Sequence, residues 1–142
     1  MSRQLSISVD IDAPVERVYQ VMIDVERWHE WTPSITEVRR LDPGPLRLGA
    51  QARIRQPKFP PALWTVTDIV EGRSFTWVST GPGLAVSGHH LVAPAAGGSR
   101  ATLAVEFEGV LGGLWAGLTG GITKRYIAME AAGLKARAEG RA

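Results

Sequence analysis

Three side chains have the chemistry of an acid–base site if the fold turns them inward: His90, Asp68 and Tyr126. His90 shares the alternation phase of Val86 and Val92, so on a strand it points with them into an apolar interior while His89 points out. A buried imidazole beside an apolar ligand can donate a hydrogen bond or act as general acid or base. A core histidine bonded to a neighbour is the plainer reading of the same pattern. Asp68 is in phase with Trp64 and Val66, which makes it a buried carboxylate with a raised pKa unless the strand end opens to solvent there. Tyr19 and Tyr126 bring phenolic groups at helical spacing, a spacing equally suited to core packing. His29 falls on the exposed side of a short helix.

Aromatic residues outnumber these polar candidates. Of the five tryptophans, Trp64 and Trp77 lie on adjacent predicted strands, where they either line a cavity for a flat apolar ligand or fill a core. Trp28 and Trp31 share one face of a short helix and read as its anchor to the end of the sheet. Trp115 opens the last helix at the cavity mouth. The predicted ligand-lining set is Trp64, Trp77, His90, Phe107, Trp115, Leu118, Ile122 and Tyr126.

Other chemistries lack their motifs. With no cysteine there is no disulfide scaffold, thiol catalysis or sulfur-ligated zinc. The three histidines have no metal-binding spacing, and neither His-Glu-x-x-His nor Gly-x-Ser-x-Gly occurs. No metal and no cofactor are expected. Gly112, Gly113, Gly117, Gly120 and Gly121 crowd the start of the last helix without the strand–turn–helix context of a dinucleotide fingerprint. They imply either a flexible gate or close backbone packing.

The elements that must position these residues follow from periodicity. Leu5, Ile7, Val9 and Ile11 alternate with polar residues as a strand. Asp12-Ala13-Pro14 then starts a helix carrying Val15, Val18, Tyr19 and Met22, and Asp24 can cap a second short helix, Val25 to Trp31. Six strands follow: Ile35 to Leu41, Ala50 to Gln56, Leu63 to Val70, Ser74 to Thr80, Leu84 to Val92 and Arg100 to Glu108. Their short Pro- and Gly-rich gaps suit antiparallel neighbours. From about Gly112, Leu111, Trp115, Leu118, Ile122, Tyr126, Met129 and Gly133 step by three or four along a helix reaching Ala138. Leu118, Ile122, Tyr126 and Met129 should face the sheet, with Lys124, Glu130, Lys135 and Arg137 opposite. The expected class is α+β: a seven-stranded curved antiparallel sheet, two short helices after the first strand, and a long C-terminal helix. A sheet curved around one helix leaves a concave space suited to a small molecule.

Residues 1–142 are expected to form a single ligand-binding domain. Charged residues make up 21% and the net charge is +2, with both signs interspersed, so no basic face for nucleic acid is expected. No run approaches the roughly 18 apolar residues of a membrane span, and stable membrane insertion is not expected. A cytoplasmic monomer or weak homodimer is the default expectation.

Val9-Asp10-Ile11-Asp12-Ala13-Pro14 with Val15-Glu16-Arg17-Val18-Tyr19, Asp24-Val25-Glu26-Arg27-Trp28-His29-Glu30-Trp31, Trp64-Thr65-Val66-Thr67, and Gly72-Arg73-Ser74-Phe75-Thr76-Trp77 together carry a family resemblance. With a histidine in the sixth strand and the long last helix, the chain resembles the START-like, or SRPBCC, superfamily. That group includes Bet v 1-like proteins and the bacterial polyketide cyclase/dehydrase and lipid-transport proteins. The resemblance covers nearly the whole chain and implies the helix-grip fold and a hydrophobic cavity. It does not imply one activity, since a fold does not fix function.

The expected function is binding or transport of a hydrophobic small molecule: a lipid, polyketide or aromatic compound. The alternative is a cyclase, dehydratase or isomerase acting on a polyketide-like or aromatic substrate, with His90 as acid/base helped by Asp68 or Tyr126. Whether any reaction is catalysed stays open at the level of sequence.

Overall fold

A computed structural model describes residues 3–141. Strand β1 (Arg3–Ile11) leads into helix α1 (Val15–Ile23) and a 3-10 helix (Val25–Glu30). Six strands follow: β2 (Glu37–Arg40), β3 (Gln51–Arg55), β4 (Ala62–Val70), β5 (Ser74–Gly81), β6 (Leu84–Ala95) and β7 (Gly98–Glu108). Helix α2 (Gly112–Ala138) closes the chain. The strands form one antiparallel sheet in the order β1-β7-β6-β5-β4-β3-β2. From β2 onward every sequential neighbour is a spatial neighbour. The exception is β1, which pairs with β7 in the register Ile7 to Leu103. The chain therefore crosses from one sheet edge to the other through α1 and the 3-10 helix. This is the predicted seven-stranded helix-grip architecture.

The two short helices plug one end of the sheet. Val18, Met22 and Val25 are fully buried there, with Phe75 beneath them. The Trp28 indole N–H donates to the Met22 carbonyl at 3.0 Å, which ties the 3-10 helix to α1. Asp24 makes no side-chain cap on the 3-10 helix and pairs instead with Arg27 at 3.4 Å. From α2, Leu134 and Ala138 join this filled core. Gly133 is required for that contact, because a Cβ there would collide with the carbonyl oxygen of Trp31. Ion pairs fasten the same end, Arg137 to Glu30 at 2.5 Å and Lys135 to Glu139 at 2.8 Å.

The first half of α2 departs from the predicted stripe. Leu118 is 70% exposed and Met129 also stands in solvent, while Ile122 is half-buried without reaching the concave interior. Trp115, Thr119, Thr123, Tyr126 and Glu130 face inward instead. Both series step by three or four and share Trp115 and Tyr126, so they differ only by one residue, about 100° of helix, at the intervening positions. Apolar character selects Leu118, Ile122 and Met129. The fold selects Thr119, Thr123 and Glu130, because this half of α2 spans open space and no dense core forces apolar residues inward. Leu118 and Ile122 are thus removed from the predicted lining set.

Asp68 is also displaced from its expected place. The β4–β5 register shifts between Val66 and Asp68, a bulge that inserts one residue and reverses the alternation. Val66 is buried, Thr67 and Asp68 are both exposed, and Ile69 resumes the inward phase. Asp68 therefore stands in water, outside any acid–base site.

Candidate functional site

Between the sheet and the first half of α2 lies a cavity of about 280 Å³. Its walls come from β3 to β7, the 3-10 helix, the β3–β4 loop and α2. The alternation of each strand supplies the lining. Trp64 comes from β4, Trp77 from β5, Val86 and His90 from β6, and Leu103 and Phe107 from β7. Exposed Pro60, Gly81 and Trp115 form its rim.

A continuous aromatic cluster makes the inner wall. Trp28 and Trp77 meet edge-on with centroids 5.3 Å apart, and Trp64 lies 6.0 Å from Trp77. Gly88, on β6 opposite Trp77, leaves room for that indole: a Cβ there would sit 3.2 Å from its Cδ1 and Nε1. Such pairs are offset or edge-to-face, as ring quadrupoles require.

His90 is 6% exposed and lies within this cluster. Its Nδ1 is 3.2 Å from the Phe75 carbonyl oxygen. A carbonyl only accepts, so Nδ1 carries the proton and Nε2 keeps its lone pair. Burial lowers the imidazole to about 4, against the opposing pull of the Phe75 carbonyl. At neutral pH His90 is uncharged. His89 lies on the other face of the strand, bonded to Thr76 at 3.0 Å and Glu106 at 3.3 Å.

Tyr126 lines the cavity, and its hydroxyl donates to the Pro57 carbonyl. Its ring meets Phe59 edge-on at 5.8 Å. The phenol thus clasps α2 to the β3–β4 loop, and its proton is engaged away from His90. Of the residues predicted to line a ligand site, Trp64, Trp77, His90, Phe107, Trp115 and Tyr126 share this cavity, whereas Leu118 and Ile122 do not, and of the acid–base candidates Asp68 lies outside it.

Sequence reasoning placed Glu130 on the outer face of α2, yet it lines the cavity. Among the described residues no hydrogen bond or ion pair is made by its carboxyl, and burial raises it to about 8. Thr119 and Thr123 share that face, Thr119 spending its hydroxyl on the Trp115 carbonyl at 2.8 Å. The signal was present in the spacing: residues 115, 119, 123, 126 and 130 also form a helical stripe. Among the described residues no lysine or arginine lines the cavity. Among the described residues no three metal-ligating side chains gather, and no helix is long and apolar enough to cross a membrane.

The family model described as polyketide cyclase / dehydrase and lipid transport matches residues 2–139. No curated protein matches the sequence. Solved structures share the fold at low identity. The ZhuI aromatase/cyclase from Streptomyces sp. R1128 superposes with a TM-score of 0.79 at 18% identity, covering 99% of this chain and 96% of that one. Ara h 8.0201 gives 0.74 at 11% identity over 97% and 98%. TTHA0849 from Thermus thermophilus gives 0.73 at 18% identity over 97% of each chain.

Proposed function

The chain belongs to the polyketide cyclase/dehydrase and lipid-transport family, and from that premise we propose that it binds or carries one compact, flat hydrophobic molecule in the cavity under α2. The observation that carries this reading is the apolar, tryptophan-walled cavity with few polar groups inside it. Ligand sites are usually lined in this way, and about 300–1,000 Å³ is their common range. At about 280 Å³ this one suits a single aromatic or small polycyclic molecule better than a two-chain lipid. The chain acts as one ligand-binding domain in the cytoplasm, as a monomer or weak homodimer.

Native mass spectrometry and quenching of tryptophan emission during titration with naphthalenemethanol test this. One-to-one binding that weakens about tenfold or more in Trp64→Ala is expected. Absence of binding rejects the reading.

One observation favours a second reading. His90 and Glu130 share the cavity, with pKa values pushed in opposite directions, to about 4 and about 8. At neutral pH that supplies a base lone pair and an acid proton, the division of labour expected of an acid–base pair. In this reading the chain is a cyclase-, dehydratase- or isomerase-type enzyme, and Glu130 takes the place expected of Asp68 or Tyr126. Deuterium exchange next to the carbonyl of tetralone, followed by mass spectrometry, tests it. Exchange at the rate of buffer alone rejects it.

A further inference from the structure

Resting on the binding reading above, we infer that the ligand carries a basic nitrogen, which Glu130 holds as an ion pair inside the aromatic cavity. Three observations converge. Among the described residues Glu130 is the only one to bring a carboxyl to the cavity, and no lysine or arginine lines it. A free fatty acid or phosphate would therefore bring a negative charge into the cavity with no cation among its lining residues to answer it. The Glu130 carboxyl makes no bond to the protein among the described residues, so its hydrogen-bonding capacity is left to whatever enters. The same cavity is lined by the indoles of Trp28, Trp64 and Trp77, and indole faces attract a cation. A carboxylate together with a cluster of indoles matches an ammonium group on a flat apolar body.

Other charges do not take this role. Helix α2 packs on α1, β1, β6 and β7. From β6, His90 is uncharged at neutral pH, and His89 is engaged with Glu106 on the outer face. From β1, Asp10 pairs with Arg100 at 2.8 Å, and from α1, Arg17 reaches the Arg137 and Ala138 carbonyls. The 3-10 helix offers Glu30, paired with Arg137, and β7 offers Glu106 and the exposed Glu108. On α2 itself, the Tyr126 hydroxyl is held by Pro57, and Lys135 pairs with Glu139 more than a turn beyond Glu130.

The binding step has a proton balance. A protonated amine enters, the Glu130 carboxyl gives its proton to solvent, and the carboxylate–ammonium pair remains. Because the empty site holds its proton up to about pH 8, binding at pH 7 releases about one proton. Amine affinity rises as pH rises from 6 toward 8, by up to about tenfold per pH unit, and then levels.

Three molecules on one ring system test this: naphthylmethylamine, naphthalenemethanol and naphthoic acid. Calorimetry at pH 7 in two buffers of different ionisation enthalpy reads both affinity and proton release. The expected order is amine, alcohol, acid, with the amine about tenfold or more tighter than the alcohol and the only one to release a proton. Glu130→Gln should cancel the amine's advantage over the alcohol and its proton release, and a cooperative thermal melt of the variant reports that it is folded. Equal affinity for amine and alcohol in the wild type overturns the inference and leaves the binding reading standing. Amine binding without proton release, or unchanged by Glu130→Gln, overturns the role of Glu130. Binding of none of the three overturns both readings.

Discussion

The imidazole of His90 lies flat against the ring of Phe75, with centroids 4.2 Å apart and planes 9° apart. A protonated ring in that position would have no water and no counter-ion, which is why burial lowers it from 6.5 to about 4. Between those values the unfolded chain binds the proton and the folded chain does not. His90 therefore contributes stability above about pH 6.5 that is lost as pH falls through 4. Urea unfolding at pH 7 and pH 4.5 should show this as a difference between wild type and His90→Gln. The variant loses less stability on acidification, by on the order of 2 kcal/mol. Parallel pH profiles in the two proteins would mean that the ring is protonated without penalty.

Glu130 acts in the opposite direction. Its carboxyl stays protonated up to about pH 8 when folded, against an ordinary value of 4.5. Across that window the unfolded chain is ionised and the folded chain is not, so stability falls as pH rises from about 4.5 to 8. Glu130→Gln removes the penalty. Since Glu130 is only half-buried, the gain at pH 8 should be on the order of 2 kcal/mol, well short of what the full shift would give. Equal denaturation midpoints for variant and wild type at pH 8 would show that the carboxyl is solvated as in water.

The bond from Tyr126 to the Pro57 carbonyl joins α2 to the β3–β4 loop beside the cavity rim. Tyr126→Phe keeps the ring against Phe59 and removes only that bond. A loss of about 1 kcal/mol in stability is expected. Dissociation of a bound naphthalene probe, followed by stopped-flow fluorescence, should become severalfold faster. Unchanged dissociation would place the exit route elsewhere.

What the sequence made legible divides along physical lines. The strands were readable because each buries one face, so Leu103 and Phe107 alternate with Thr102 and Glu106. The filled end was readable for the same reason, from Val18, Met22 and Trp28. The candidate site was readable only where it borrows that logic: Trp64, Trp77, His90 and Phe107 sit in the apolar phase of their strands. Asp68 was misplaced by a bulge, a one-residue event with no local signature between Val66 and Asp68. Glu130 was misplaced because a cavity relaxes the rule that apolar residues face inward. Thr119, Thr123 and Glu130 can line a space that no core fills, and Leu114 and Leu118 are left in water.

The glycines of α2, read from sequence either as a gate or as close packing, are separated by the structure. A Cβ at Gly133 would strike the Trp31 carbonyl oxygen, which the 3-10 helix holds in place. At Gly113, Gly117, Gly120 and Gly121 a Cβ meets nothing within 4 Å. Close packing therefore explains Gly133 and none of those four. Gly133→Ala should destabilise by about 2 kcal/mol or more, because backbone has to move to admit the methyl group. Gly117→Ala and Gly120→Ala should each stabilise by about 0.5–1 kcal/mol, the ordinary difference in helix propensity. Thermal melts of the three variants check the signs. If the first half of α2 opens to admit ligand, its amides should exchange with deuterium faster than those of residues 126–138. The two stabilising variants should then slow both that exchange and probe release. Stabilisation with no change in probe release would separate helix stiffness from ligand entry and reject the gate.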